Sequence, residues 1–157
     1  MSYQVTTFPH HRSLNVQTVE LLPWLIGVSR ASHSWAKWEG PGFFPHVNLR
    51  SRYARNFERY TGLVQFDLDD SSYLNHFVER AELISKLKVR SNCVWVAPSF
   101  SEHGIWGLLQ GKVVRDASEF EEMSSNVIDE LEADFCFEVD RRVSIEPRAF
   151  RLVAKVL

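Results

Sequence analysis

The chain holds only two cysteines in 157 residues, Cys93 and Cys136, with no CxxC spacing. A disulfide framework and a thiolate zinc site are therefore not expected, and two isolated thiols in apolar neighbourhoods read as buried residues of a reducing compartment. A long hydrophobic run is also missing. The longest, residues 21–28, is broken by Pro23 and too short to span a bilayer, and the N-terminus lacks the charged-then-apolar order of a secretory leader. These absences predict a soluble, cytoplasmic protein. Charge of one sign is scarce as well: 18 Lys and Arg against 20 Asp and Glu leave a formal charge of -2. No global basic field marks a nucleic-acid binder, so any such partner must be held by a local patch. No internal repeat or low-complexity tract is visible, and Glu39-Gly40-Pro41-Gly42 is the one sustained Gly/Pro-rich connection, read as a loop.

What is present is apolar and aromatic: 45% and 13% of the residues, enough for a real core in a chain of this length. The most informative stretch is Gly62-Leu63-Val64-Gln65-Phe66-Asp67-Leu68-Asp69-Asp70, an apolar strand ending in carboxylates one residue apart. Alternation along an extended strand sends Asp67 and Asp69 to one face and Phe66 and Leu68 to the other. Such a pair suits a hard divalent cation that keeps open positions for water and phosphate. The same residues also serve as turn formers, and Asp70-Ser71-Ser72 reads as a helix cap.

Residues 18–30 and 31–37 carry weak helical patterns, and residues 43–49 a strand. In residues 50–60, Arg50, Arg52, Arg55 and Arg59 alternate with Tyr53, Phe57 and Tyr60. That mixture fits phosphate contact and base stacking, or a solvated face above an aromatic stripe. Helical spacing of Leu74, Phe77, Ala81, Ile84 and Leu87 predicts a helix over residues 72–88, followed by strands over residues 92–97 and 105–110. Asp116, with Glu119 three residues on, predicts the capped start of a second helix whose buried stripe is Phe120, Met123, Val127, Ile128 and Leu131. Residues 135–139 and 151–156 are expected to be strands, the former ending at Asp140. Strand, helix, strand, strand, helix, strand describes an α+β fold. It predicts an RRM-like (split βαβ) antiparallel sheet with both helices on one face, residues 61–157 forming this core and residues 1–60 an N-terminal α/β extension packed on it. One face of such a sheet can stay open, with Asp67 and Asp69 over it and Asp140 as a third carboxylate, or simply a charged strand end beside Arg141 and Arg142.

The series Tyr60 to Asp69, then Ala97-Pro98-Ser99-Phe100-Ser101-Glu102-His103-Gly104-Ile105-Trp106, then Val139-Asp140 and Pro147-Arg148 resembles the archaeo-eukaryotic primase (primase-polymerase) superfamily. The nearest form is the VirE-N-terminal-like primase domain of bacterial, plasmid and phage proteins. The resemblance implies template-directed nucleotidyl transfer with Mg²⁺ or Mn²⁺ held by Asp67, Asp69 and Asp140. It places Ser99, Ser101, His103 and Arg148 at the nucleoside triphosphate, with Arg151 an alternative to Arg148. Arg50, Arg52, Arg55 and Arg59 would hold a single-stranded DNA template or primer, and a helicase or ATPase domain would be the partner. The apolar ending suggests that such a domain lies beyond this stretch of chain. One departure stands out: Trp106 occupies the position where family members carry His or Lys. Triphosphate binding would then lean on His103, loop amides or Arg148. Two other readings stay open, a binding module of the same fold with impaired catalysis and a metal-dependent nuclease.

Overall fold

The computed structural model describes residues 2–31, 39–52, 59–69, 79–99 and 104–153. The chain is mixed α+β with antiparallel sheets, and it divides into two compact units: Met1–Thr61 with Arg148–Leu157, and Gly62–Pro147.

In the first unit, β1 (Gln4–Phe8), β2 (Gln17–Glu20), β3 (Gly42–Phe44) and β9 (Arg151–Leu152) form an antiparallel sheet in the order β2-β1-β3-β9. Val5, Thr6, Thr7 and Phe8 are all buried, so β1 is covered on both faces and shows no alternation. β-Branched threonines suit that position provided their hydroxyls are satisfied. Thr6 Oγ1 accepts from the Leu49 amide at 2.9 Å, and Thr7 Oγ1 donates to the Gln17 carbonyl at 3.2 Å. A Cβ on Gly42 would lie 2.5 Å from Phe8 Cζ and 2.6 Å from the Arg151 carbonyl, which is why only glycine lets β1 and β9 approach β3 there. Helix α1 (Leu21–Ala31) follows β2 directly. Pro23 is tolerated because first-turn amides have no intrahelical partner, and Leu21 and Leu25, one turn apart, are buried. Residues 18–20 are thus strand where a helix was expected: Thr18 and Val19 pair with Thr6 and Val5. The strand expected over residues 43–49 is broken at Pro45-His46 into β3 and β4 (Val47–Asn48), and β4 pairs with β5 (Arg59–Tyr60).

In the second unit, β6 (Leu63–Leu68), β7 (Cys93–Pro98) and β8 (Ile105–Gln110) pair antiparallel in the order β6-β8-β7. Helix α2 (Arg80–Lys88) packs on β7 through this unit's core, with Leu83 and Leu87 buried. The helical pattern of residues 72–88 is met from Arg80 onward, while residues 70–78, including the Ser71 and Ser72 cap, lie outside the described residues. Helix α3 (Ala117–Phe135) starts as expected: Asp116 accepts from the Glu119 amide at 2.9 Å, and Glu119 Oε2 accepts from the Arg115 amide at 2.9 Å. Its stripe of Phe120, Met123, Ile128 and Leu131 is buried.

Residues 135–139 are not a strand. Phe135 closes α3, Cys136 takes the left-handed conformation with φ 56°, and residues 137–140 join no ladder. The Val139 amide, which a strand would use for pairing, donates instead to Glu132 Oε1 at 3.0 Å. One main-chain bond remains, from the Asp140 amide to the Asp67 carbonyl at 3.2 Å. Helix α4 (Arg141–Ile145) follows, tied to α3 by Arg141, which bridges Asp129 at 2.5 Å and Glu132 at 2.6 Å. Of the two cysteines, Cys93 is half-buried and its thiol is pushed up by burial, whereas Cys136 is exposed. The expectation that both are buried is corrected, because the helix stop turns Cys136 outward. Among the described residues no helix is long and apolar enough to cross a membrane.

Candidate functional site

Register fixes the carboxylate face. Val64, Phe66 and Leu68 of β6 lie on the side where Gly107 and Gly111 meet Phe66 and Met123, so α3 covers that face. Asp67 points to the opposite face with Leu63 and Gln65. It is half-buried at the end of β6, directly across from Trp106, and Asp69 is exposed one residue past the strand. Trp106 is itself only 2% exposed. A rigid strand therefore holds one carboxylate against an indole, and the second emerges just beyond it into solvent.

Asp140 reaches this place by its main chain, through the bond to the Asp67 carbonyl, but its carboxylate is engaged elsewhere. Oδ1 caps α4, accepting from the Arg142 amide at 3.1 Å and from Arg142 Nε at 3.3 Å. Among the described residues no three His, Cys, Asp or Glu side chains converge as a cluster able to hold a metal ion. The sheet face expected to stay open is not open around Asp67, since Leu63, Gln65 and Trp106 on the same face are all buried. The exposed Asp69 and half-buried Asp67 still supply two hard oxygens of the kind a Mg²⁺-like cation takes from one or two carboxylates, completed by water and phosphate.

Of the triphosphate residues, Ser99 is half-buried at the base of the β7–β8 connection, its amide donating to the Gly104 carbonyl at 2.9 Å. Ser101 and His103 lie outside the described residues, and Arg148 is half-buried in the first unit. Among the arginines assigned to nucleic acid, Arg50 and Arg59 are exposed, and Arg55 lies outside the described residues. Arg52 has a structural task. It donates to the His10 carbonyl at 3.2 Å and the Ser13 carbonyl at 2.8 Å, with its guanidinium 4.2 Å from the Phe8 ring centre. It fastens the β1–β2 connection.

Three polar residues around this sheet were not singled out from sequence. Gln65 is fully buried on the Asp67 face, and a lone amide inside an apolar strand was the available signal. Trp95 Nε1 and the fully buried Ser144 Oγ have no hydrogen-bond partner among the described residues.

No family model, curated protein or solved structure matches the chain.

Proposed function

We propose that the Gly62–Pro147 unit is an RRM-like domain for template-directed nucleotidyl transfer of the primase-polymerase type, serving replication of a phage, plasmid or mobile element. What supports the reading most is the end of β6. Asp67 lies within β6 and Asp69 one residue past it, and the Asp140 amide donates to the Asp67 carbonyl, within a strand, helix, strand, strand, helix order. Asp67 and Asp69 would hold Mg²⁺ or Mn²⁺. Such an ion lowers the pKa of a primer 3′-hydroxyl and neutralises charge on the departing pyrophosphate. The chain's own share is positioning. β6 sets the spacing of the two carboxylates, and the β7–β8 connection is closed at its base by the Ser99 amide donating to the Gly104 carbonyl. Turning Asp140 toward the pair would give up its ion pair with the 91% exposed Arg142, which contributes about 1 kcal/mol or less, and also its cap on α4, which contributes about 1 kcal/mol.

A second reading, a nucleotide- or nucleic-acid-binding module without full catalysis, is favoured by Trp106. An indole lies across from Asp67 where the resemblance implies a cation, and it cannot neutralise phosphate. Primer extension with Mg²⁺ or Mn²⁺ separates the two. Wild type should extend, and Asp67→Asn and Asp69→Asn should each lose on the order of a hundredfold or more. Asp140→Asn keeps the helix cap but removes the charge, so a loss there reports a role beyond capping. Strand binding without extension would leave the binding module standing, and degradation of the labelled strand without nucleotides would mark a nuclease.

A further inference from the structure

The near-neutral charge of the whole chain conceals a division between its units. Met1–Thr61 with Arg148–Leu157 contains ten Lys and Arg against three Asp and Glu, a formal charge of +7. Gly62–Pro147 contains eight against seventeen, or -9, and the two restore the overall -2. A unit this basic attracts polyanions, while its acidic counterpart repels them.

The same basic unit holds an apolar pocket of about 360 Å³. Phe8, Trp24 and Pro41 line it, with the exposed amide side chains of Asn15 and Gln17 at its edge. That size and lining match small-ligand pockets, in which aromatic walls are joined by a few polar groups that fix orientation. Trp24 is half-exposed and braced edge-to-face by Phe43 at 5.6 Å, so one side of a rigid ring remains available. The β1–β2 connection supplies part of the wall through Pro9 and Asn15 and also carries the exposed Arg12. Arg52 holds that connection in place by its two carbonyl bonds.

We infer that the first unit binds single-stranded nucleic acid, seating one base in the pocket against Trp24 while Arg12 and its neighbours meet the backbone phosphates. A flat apolar ring with edge donors and acceptors, joined to repeated negative charge, is the ligand that satisfies both observations together. Asn15 and Gln17 are side chains suited to reading a base edge. The inference rests on the nucleotidyl-transfer reading only for the identity of the strand as template or primer; binding itself does not require the carboxylates.

The experiment is fluorescence anisotropy of labelled oligothymidylate with the full chain in EDTA, which silences any cation at Asp67 and Asp69. Binding should weaken as salt rises, and Arg12→Ala should make the log–log salt slope shallower by about 0.7. An abasic oligonucleotide of equal length should bind about tenfold more weakly or worse, a comparison that needs no variant. Trp24→Ala should act in the same direction. Because it removes a brace of Phe43, Asn15→Ala and Gln17→Ala, both exposed, serve as folded checks and should each weaken binding several-fold. Equal affinity for the abasic strand, equal competition by polyglutamate, or a loss from Lys112→Ala as large as that from Arg12→Ala would overturn the assignment. Primer extension distinguishes failures. Extension with unaltered binding by these variants refutes the pocket alone, whereas strand binding without extension refutes the transferase alone.

Discussion

Gly107 sits in the centre of β8 directly opposite Phe66, and that pair decides to which face Asp67 points. A Cβ built on Gly107 would run into Phe66 Cζ, lie 2.5 Å from Cε1 and stand 2.7 Å from the Trp95 carbonyl oxygen. Phe66 is fully buried and the carbonyl belongs to the neighbouring strand, so neither can move aside cheaply. Overpacking of this kind costs about 1–3 kcal/mol, and the alanine's smaller unfolded-state entropy recovers well under 1 kcal/mol of it. Gly107→Ala should therefore destabilise the chain by about 1–2.5 kcal/mol in urea unfolding, with an unchanged slope. Phe66→Leu shortens the offending ring. Combined with Gly107→Ala it should cost less than the sum of the two single changes, with a coupling of about 1 kcal/mol. Full additivity would place Phe66 away from Gly107, slip the register by one residue and send Asp67 under α3, removing the candidate site.

At Cys136, the left-handed position after α3, glycine adopts φ 56° without strain, so Cys136→Gly should raise stability by about 0.5 kcal/mol while Cys136→Val lowers it; thermal unfolding checks both. Hydrogen bonds and charge from Arg115 hold the Glu119 carboxyl below its ordinary value of 4.5. A carboxyl lowered in the folded state contributes stability that is complete above that value and is lost as pH falls through the lower one. Arg115→Ala should thus narrow the gap from wild type only in acid, below about pH 4.5, as acid titration of unfolding would show. Trp106→His places a titratable group beside Asp67 in a site where the indole is 2% exposed. Losing that packing should cost about 2–4 kcal/mol, and if a cation at this position serves phosphate, triphosphate titration should tighten at low pH despite the lower stability.

Local patterns were legible where one face met solvent or a cap closed a helix. Asp116 and Glu119 announce α3, and β7 and β8 fall within a residue of their expected limits. β1 was not read, because its residues are buried on both sides and give no period-two signal. Residues 137–140 carry the apolar spacing of a strand, with Phe137 and Val139 buried and Glu138 exposed, yet Glu132 takes the amide that a ladder needs. No local pattern reveals a competing side chain seven residues upstream. Alternation assigned Asp67 the face opposite Phe66 and Leu68, but it gave no sign that its neighbours on that face, Leu63, Gln65 and Trp106, are buried. The cap formed by Asp140 was hidden by the five-residue length of α4, and the fixed role of Arg52 depends on carbonyls about forty residues away. The charge division was legible in part, since residues 1–60 carry seven Lys and Arg against three Asp and Glu, and the pairing of β9 with β3 sharpens it by placing Arg151 in the first unit.

That division bears on how a strand and a carboxylate site can belong to one chain. A unit of formal charge -9 repels phosphate at every approach, so without a bound cation Asp67 and Asp69 oppose the ligand that the proposed chemistry requires. Affinity in the absence of divalent ions must then come from the basic unit and fall steeply with monovalent salt. Added Mg²⁺ acts in two directions: it competes for strand phosphates with the arginines of the first unit, and it removes repulsion at the carboxylates of the second. In wild type these effects oppose each other, but in the Asp67→Asn, Asp69→Asn double variant the second is reduced. Mg²⁺ should accordingly weaken strand binding more in that double variant than in wild type, and an equal response would separate the carboxylates from strand handling altogether.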